Sequence, residues 1–231
     1  MTRTLNVVRM QLINRQTYIW VPVIVLLGSF AIAFAIYAML FNAGITTPKY
    51  GGGAQAPLWY FLAIGVQALT LTFPFSQAMS VTRREFYAGT LLTAGITAVI
   101  LSALFVVGGL LEQATGGWGI GGYFFYLPWL WEAGPLAAGV VFFAIAMLFF
   151  VVGFWAATIY KRFGSVVTTV VLVGVSVLLV GIAWVITATE SWVAVAEGFV
   201  TLGALGLALW GLLLIAVLAG SSFLTLRRAT P

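Results

Sequence analysis

The chain has no cysteine, no histidine and no aspartate, and charged residues make up only 6% of its 231 positions. Without Cys or His there can be no disulfide, no zinc site of Cys/His type, no haem or iron–sulfur ligation of the usual kind and no Cys or His nucleophile pair. Without Asp, chemistry built on paired aspartates is excluded as well. A soluble domain carries about 25% charge because its surface faces water. The 10 Lys+Arg and five glutamates here cannot cover such a surface, so a soluble globular protein is ruled out. Disorder is ruled out too, because 63% of the residues are hydrophobic and 15% aromatic. A mean hydropathy of +1.14 belongs to a chain whose solvent is mostly lipid. The net charge of +5 rests on so few residues that it reads as membrane orientation and not as nucleic-acid binding.

A bilayer core of about 30 Å takes roughly 20 apolar residues in a helix. Six windows qualify: Tyr18–Phe41, Pro57–Met79, Ala88–Leu111, Pro135–Thr158, Ser165–Thr187 and Phe199–Ser222. None has an internal charge, as the cost of ionised groups at mid-bilayer demands. Alternate gaps hold Arg3, Arg9, Arg15, Arg83, Arg84, Lys161, Arg162, Arg227 and Arg228, which leaves Lys49 alone among basic residues on the other side, with Glu112, Glu132, Glu190 and Glu197. The positive-inside bias therefore predicts an all-α, polytopic protein of six transmembrane helices with both termini cytoplasmic. Tyr18, Trp20, Tyr87, Trp155 and Tyr160 fall at expected inner edges, and Tyr37, Trp59, Tyr60, Trp184 and Trp192 at outer ones.

The gaps carry their own signals. Residues 1–17 read as an amphipathic helix at the inner headgroup layer, with Leu5, Val8, Leu12 and Ile13 on its apolar face, or as a plain polar lead-in. Pro48 and Gly51-Gly52-Gly53 make 42–56 an irregular loop. Segment 112–134 combines Gly116, Gly117, Gly119, Gly121 and Gly122 with an almost wholly aromatic and aliphatic run from Tyr123 to Trp131, too short to cross. It reads as a re-entrant or interfacial plug, or as an aromatic belt loop. In the gap after the second span, Pro74 should kink or end the helix, and Thr82-Arg83-Arg84-Glu85 has the order of a capping box. A short helix presenting two arginines, or a tight turn, is expected there. The final residues, 223–231, form a cytoplasmic tail.

Few polar residues enter the spans. Gln67, Thr70, Pro74 and Gln77 share one face of the second, which borders a substrate path or makes interhelical hydrogen bonds. Thr90, Ala94, Ala98 and Ser102 form a small-residue stripe on the third, and Ala204 and Ala208 do similar work on the sixth. The five glutamates sit in no motif, which argues against catalysis, and no midplane carboxylate supports an ion-coupled secondary carrier. No phosphate loop is present, since neither lysine lies in GxxxxGK[ST]. Active transport by this chain would therefore draw on a separate ATPase.

The opening RMQLINRQTYIWVPVIVLLGSF, the six-span plan and above all FPFSQAMSVTRREFYAGTLL, residues 73–92, resemble the small permease subunits of bacterial type-2 ABC transporters. The resemblance implies a transmembrane permease of the bacterial plasma membrane, in contact with the lipid bilayer and with no nucleic acid. Its partners would be a second permease copy or paralogue and a cytoplasmic ABC ATPase subunit, which binds ATP and Mg while this chain holds no cofactor or metal. It implies that Thr82, Arg83, Arg84, Glu85 and Phe86, within segment 80–87, form the ATPase-coupling segment, that residues 3–16 form the connecting helix, and that the complex exports drugs, antibiotics, lipids or polysaccharides. Gln67, Thr70 and Gln77 are then the candidate substrate path. The chain departs from many relatives in placing its long aromatic segment between the third and fourth spans, with a short gap between the fifth and sixth. The alternatives are an ion-coupled secondary carrier, with sodium held by backbone carbonyls, and a non-transporting membrane scaffold.

Overall fold

The computed structural model describes residues 3–13, 16–51 and 55–227. The expectations placed on Arg15, Gly52, Gly53 and Arg228 lie outside them. Among the described residues, five helical stretches are long and apolar enough to cross a membrane: Gln16–Asn42, Ala56–Ala78, Arg83–Ala114, Pro135–Ala188 and Trp192–Leu226. Apart from one two-residue ladder, the regular structure of the described residues is all helical.

Helix α1 spans Arg3–Ile13. A π-turn over Gln16–Trp20 leads into α2, Val21–Asn42. Strand β1, Lys49–Tyr50, precedes α3, Ala56–Gln67, which continues through a second π-turn, Ala68–Thr72, into α4, Phe73–Ala78. The widened turn sits just before Pro74. It accommodates a residue that has no N–H and whose ring would press on the preceding turn, so the helix runs on to Ala78. Helix α5, Arg83–Ala114, is followed by β2, Gly122–Tyr123, then α6, Pro135–Ala188, and α7, Trp192–Leu226.

At 54 residues α6 would reach about 80 Å if unbroken, well beyond one bilayer crossing. Gly164 interrupts it at φ 82°, ψ 178°, a backbone region open essentially to glycine alone. Gly203 interrupts α7 in the same way, at φ 61°, ψ 176°. Stretches 135–163 and 165–188 each exceed the length of one crossing.

Burial is greatest in α3 with α4, in α5 and in the first part of α6. The stripe on α5 does what its small residues permit: Thr90, Ala94, Ala98 and Ser102 are all buried, and the Ser102 hydroxyl donates to the Gly139 carbonyl of α6 at 2.6 Å. Ala204 and Ala208 of α7 are buried against Val141 and Ala144 of α6. The α3–α6 contact is closer still. A Cβ on Gly65 would meet the Phe150 carbonyl oxygen, and one on Gly153 would meet that of Leu62. By contrast, no residue from Tyr160 to Gly203 is buried.

Three expectations need correcting. The buried face of α1 is Val7, Val8 and Gln11, with Leu5 and Ile13 exposed. The face is rotated because α1 docks on α5, where Val7 lies over Gly89 and Gln11 donates to the Thr90 hydroxyl at 2.8 Å. Tyr60, expected at an outer edge, donates its hydroxyl to the Thr17 carbonyl at the start of the first span. The loop 42–56 is not wholly irregular, since β1 pairs in parallel with β2, Lys49 with Gly122 and Tyr50 with Tyr123.

Candidate functional site

Two constructions lie at opposite ends of α5. At its N-terminus, Met79–Val81 make a tight turn out of α4, with Ser80 at φ 58°. Thr82 then caps α5. Its hydroxyl accepts from the Glu85 N–H at 3.3 Å, and the Glu85 carboxylate accepts from the Thr82 N–H at 3.0 Å. This is the reciprocal capping box that the residue order predicted. No separate short helix forms, however: Arg83 and Arg84 are the first two residues of the long helix. The hydrogen bonds of the cap continue directly into α5, so nothing ends a short helix there.

Two arginines at a helix N-terminus oppose the macrodipole. Arg83 offsets this by reaching the far end of another helix, donating to the carbonyls of Leu226 at 3.2 Å and Arg227 at 2.9 Å. Its charge there caps the C-terminus of α7, where a cation is favoured. Tyr87 makes a second tie to α7, donating to the Ala219 carbonyl at 2.6 Å. Arg84 is exposed. Phe86 is wholly buried, its ring 5.2 Å from that of Phe73, so it anchors the turn and presents nothing to a partner. Of the five expected coupling residues, the structure leaves Thr82 and Arg84 on the surface and half-buries Arg83 and Glu85. Replacing Thr82 by valine removes the cap acceptor. The expected cost is about 1 kcal/mol, read as a lower unfolding midpoint in detergent, and an unchanged midpoint would dismiss the cap's contribution.

A π-turn interrupts the helix that carries Gln67, Thr70 and Gln77. The π-turn inserted between them rotates the face, and each of the last two turns to the backbone. Thr70 donates to the Val66 carbonyl at 3.0 Å, and Gln77 to the Val81 carbonyl at 3.0 Å, which pins the tight turn. Gln67 is half-buried. An apolar groove of 580 Å³ opens between α2 and the start of α3, lined by Ser29, Ile36, Tyr37, Gln55 and Trp59 among others. Its lining suits an apolar molecule with one or two polar atoms.

At the C-terminal end of α5 stands a feature that sequence reading missed. Glu112, expected only to mark topology, is completely buried. One carboxylate oxygen accepts from the Trp118 indole at 3.0 Å and the Phe124 N–H at 2.9 Å; the other accepts from the N–H groups of Phe125 and Tyr126, both at 2.8 Å. Three consecutive backbone donors and an indole thus close around one carboxylate. Trp118 is held at φ 60°, costly for a bulky side chain, and its indole bond helps to hold it there. The segment then folds back on the bundle. Phe124 and Phe125 pack against Phe30 of α2, Phe125 also meets Phe105, and Trp131 covers Gly109. Lys49 is buried beside it and donates to the Ile120 carbonyl at 3.1 Å. Phe124, Phe125 and Trp131 of the aromatic run are therefore part of the core, while Trp129 stays exposed. The one available signal was an acid placed just before a glycine-rich run of potential N–H donors.

Among the described residues no group of acids could hold a metal ion. Compared with known proteins, the chain matches no family model, and no curated protein or solved structure shows significant similarity to it.

Proposed function

We propose that this chain is the transmembrane permease subunit of an ATP-driven ABC exporter in the bacterial plasma membrane. In this reading the break at Gly164 divides α6 into two crossings, which makes six spans in all and sets both termini in the cytoplasm. The convergence of Arg83, Arg84, Arg162 and Arg227 at one end of the bundle supports that orientation. The chain works with a second copy or a paralogue, and a separate ATPase subunit binds ATP and Mg.

The observation that carries the reading is how the turn at residues 79–84 is joined to the rest. Arg83 clamps the end of α7, Tyr87 ties α5 to the same helix, and α1 is docked on α5 through Val7 and Gln11. A push on the turn from the cytoplasmic side is therefore carried into three helices together. Closure of an ATPase pair beneath it would move α1, α5 and α7 together with the part of α6 packed on them, the rigid-body movement that alternating access needs. Glu112 does not favour an ion-coupled carrier, because all the bonds it makes are with neutral donors of the chain itself. The apolar groove between α2 and α3 favours a hydrophobic or amphipathic cargo, a drug, antibiotic or lipid.

The decisive variant is Arg84→Glu, since Arg84 is exposed whereas Arg83 also holds α7. In vesicles containing the permease and its ATPase subunit, the variant should insert normally while ATPase docking and cargo-stimulated hydrolysis fall about tenfold, as reversal of an interfacial charge implies. Undiminished transport, or purification of an active chain with no nucleotide-binding subunit, would overturn the proposal. The second result would favour the carrier reading.

A further inference from the structure

The basic end of the bundle contains more than the turn. Arg162, two residues before the Gly164 break, and Arg227, at the end of α7, line one cleft of 470 Å³ together with Leu224 and Thr225. No acidic side chain lines it. The glutamate of the capping box, Glu85, is engaged with Thr82. Two guanidinium groups facing one cleft repel each other, and an anion between them would reverse the sign of that interaction. Both groups also rest on aromatic rings, Arg162 4.6 Å from the Phe163 centroid and Arg227 5.9 Å from that of Phe223, which leaves their donor edges directed elsewhere.

The surroundings of the cleft define the anion further. Leu224 is 62% exposed, Phe163 48% and Val166 75%, all beside the cleft in sequence and all at the ends of long apolar helices. A small hydrated anion would gain nothing from them, whereas acyl chains would cover them. We infer that this cleft is a binding site for an anionic phospholipid, with the phosphodiester held by Arg162 and Arg227 and the acyl chains laid over Leu224, Phe163 and the stretch after Gly164. Planar guanidinium forks match phosphate oxygens, and basic pockets between membrane helices hold such headgroups elsewhere. The site needs only that the chain is a membrane protein; it stands whether or not an ATPase docks on Arg84.

Native mass spectrometry of the full chain, released from bilayer discs of phosphatidylglycerol or of phosphatidylcholine, tests this. Wild type should retain phosphatidylglycerol selectively, and each of Arg162→Gln and Arg227→Gln should weaken retention about fivefold, with little change for phosphatidylcholine. Arg84→Gln, outside the cleft, should leave retention intact. Equal retention by wild type and the two cleft variants would overturn the assignment, as would an equal loss in Arg84→Gln, which would indicate a diffuse basic surface. Displacement of the lipid by millimolar inorganic phosphate would also overturn it in favour of a small-anion site. Should either cleft variant fail to insert, Arg162→Lys keeps the charge but loses the fork, and is expected to retain less lipid than wild type.

Discussion

Replacing Glu112 by alanine should detach the segment from Trp118 to Trp131 from the bundle and cost about 3–5 kcal/mol of stability. The change strands the N–H groups of Phe124, Phe125 and Tyr126 and the indole of Trp118. Each buried donor left without an acceptor costs about 1–3 kcal/mol, less whatever the loop recovers by moving into water. Glu112→Gln keeps the shape but replaces one acceptor oxygen with an amide that itself donates, so it should lose about half as much. Hydrogen exchange at residues 122–126 reads the effect directly, and tryptophan emission from Trp118 and Trp131 should shift to the red as their rings meet solvent. Unchanged protection of those three amides in Glu112→Ala would show that the aromatic packing on Phe30 and Phe105 holds the segment without the carboxylate.

The second large effect lies between α3 and α6. Gly153→Ala places a methyl group on the Leu62 carbonyl, and Gly65→Ala places one on that of Phe150. Backbone atoms cannot swing aside as a side chain would, so the two helices must separate, at a cost of about 1–3 kcal/mol for each substitution. Separation also loosens the packing of Phe61, Phe150 and Phe154, all of them about 1% exposed. Gly95→Ala is the control. A Cβ there meets nothing within 4 Å, and alanine is the better helix former, so that variant should be neutral or slightly stabilised. Unfolding midpoints in detergent compare the three; equal midpoints for Gly153→Ala and Gly95→Ala would remove the close approach as a determinant of the fold.

The capping turn was legible in the sequence, and its surroundings were not. Thr82 and Glu85 were legible because a capping box is local: four consecutive residues satisfy one another's donors and acceptors. The helix that follows was not legible in length, because nothing between Glu85 and the apolar window ends it, and its register continues from the cap through Ala114. Phe86 was expected in the coupling segment, yet it is buried, with its ring against that of Phe73, thirteen positions away. Gln67, Thr70 and Gln77 shared a face only under a uniform helical period, which the π-turn at Ala68–Thr72 broke.

Read alone, the sequence was enough to establish the class of the protein, because the class follows from sums. Fifteen charges in 231 residues, apolar windows of membrane length and glycines or prolines between them require an all-α protein immersed in lipid, and no particular contact is needed to say so. What the tertiary structure alone decided depends on pairs distant in the chain: Arg83 with Leu226, Gly65 with Phe150, Lys49 with Ile120, Glu112 with the loop that follows it. Such pairings leave no periodic trace, since hydrogen bonds and close packing reward the meeting of two groups and impose no spacing along the chain between them. The same glutamate, read as a marker of topology, became a buried anchor only when three backbone N–H groups closed around it.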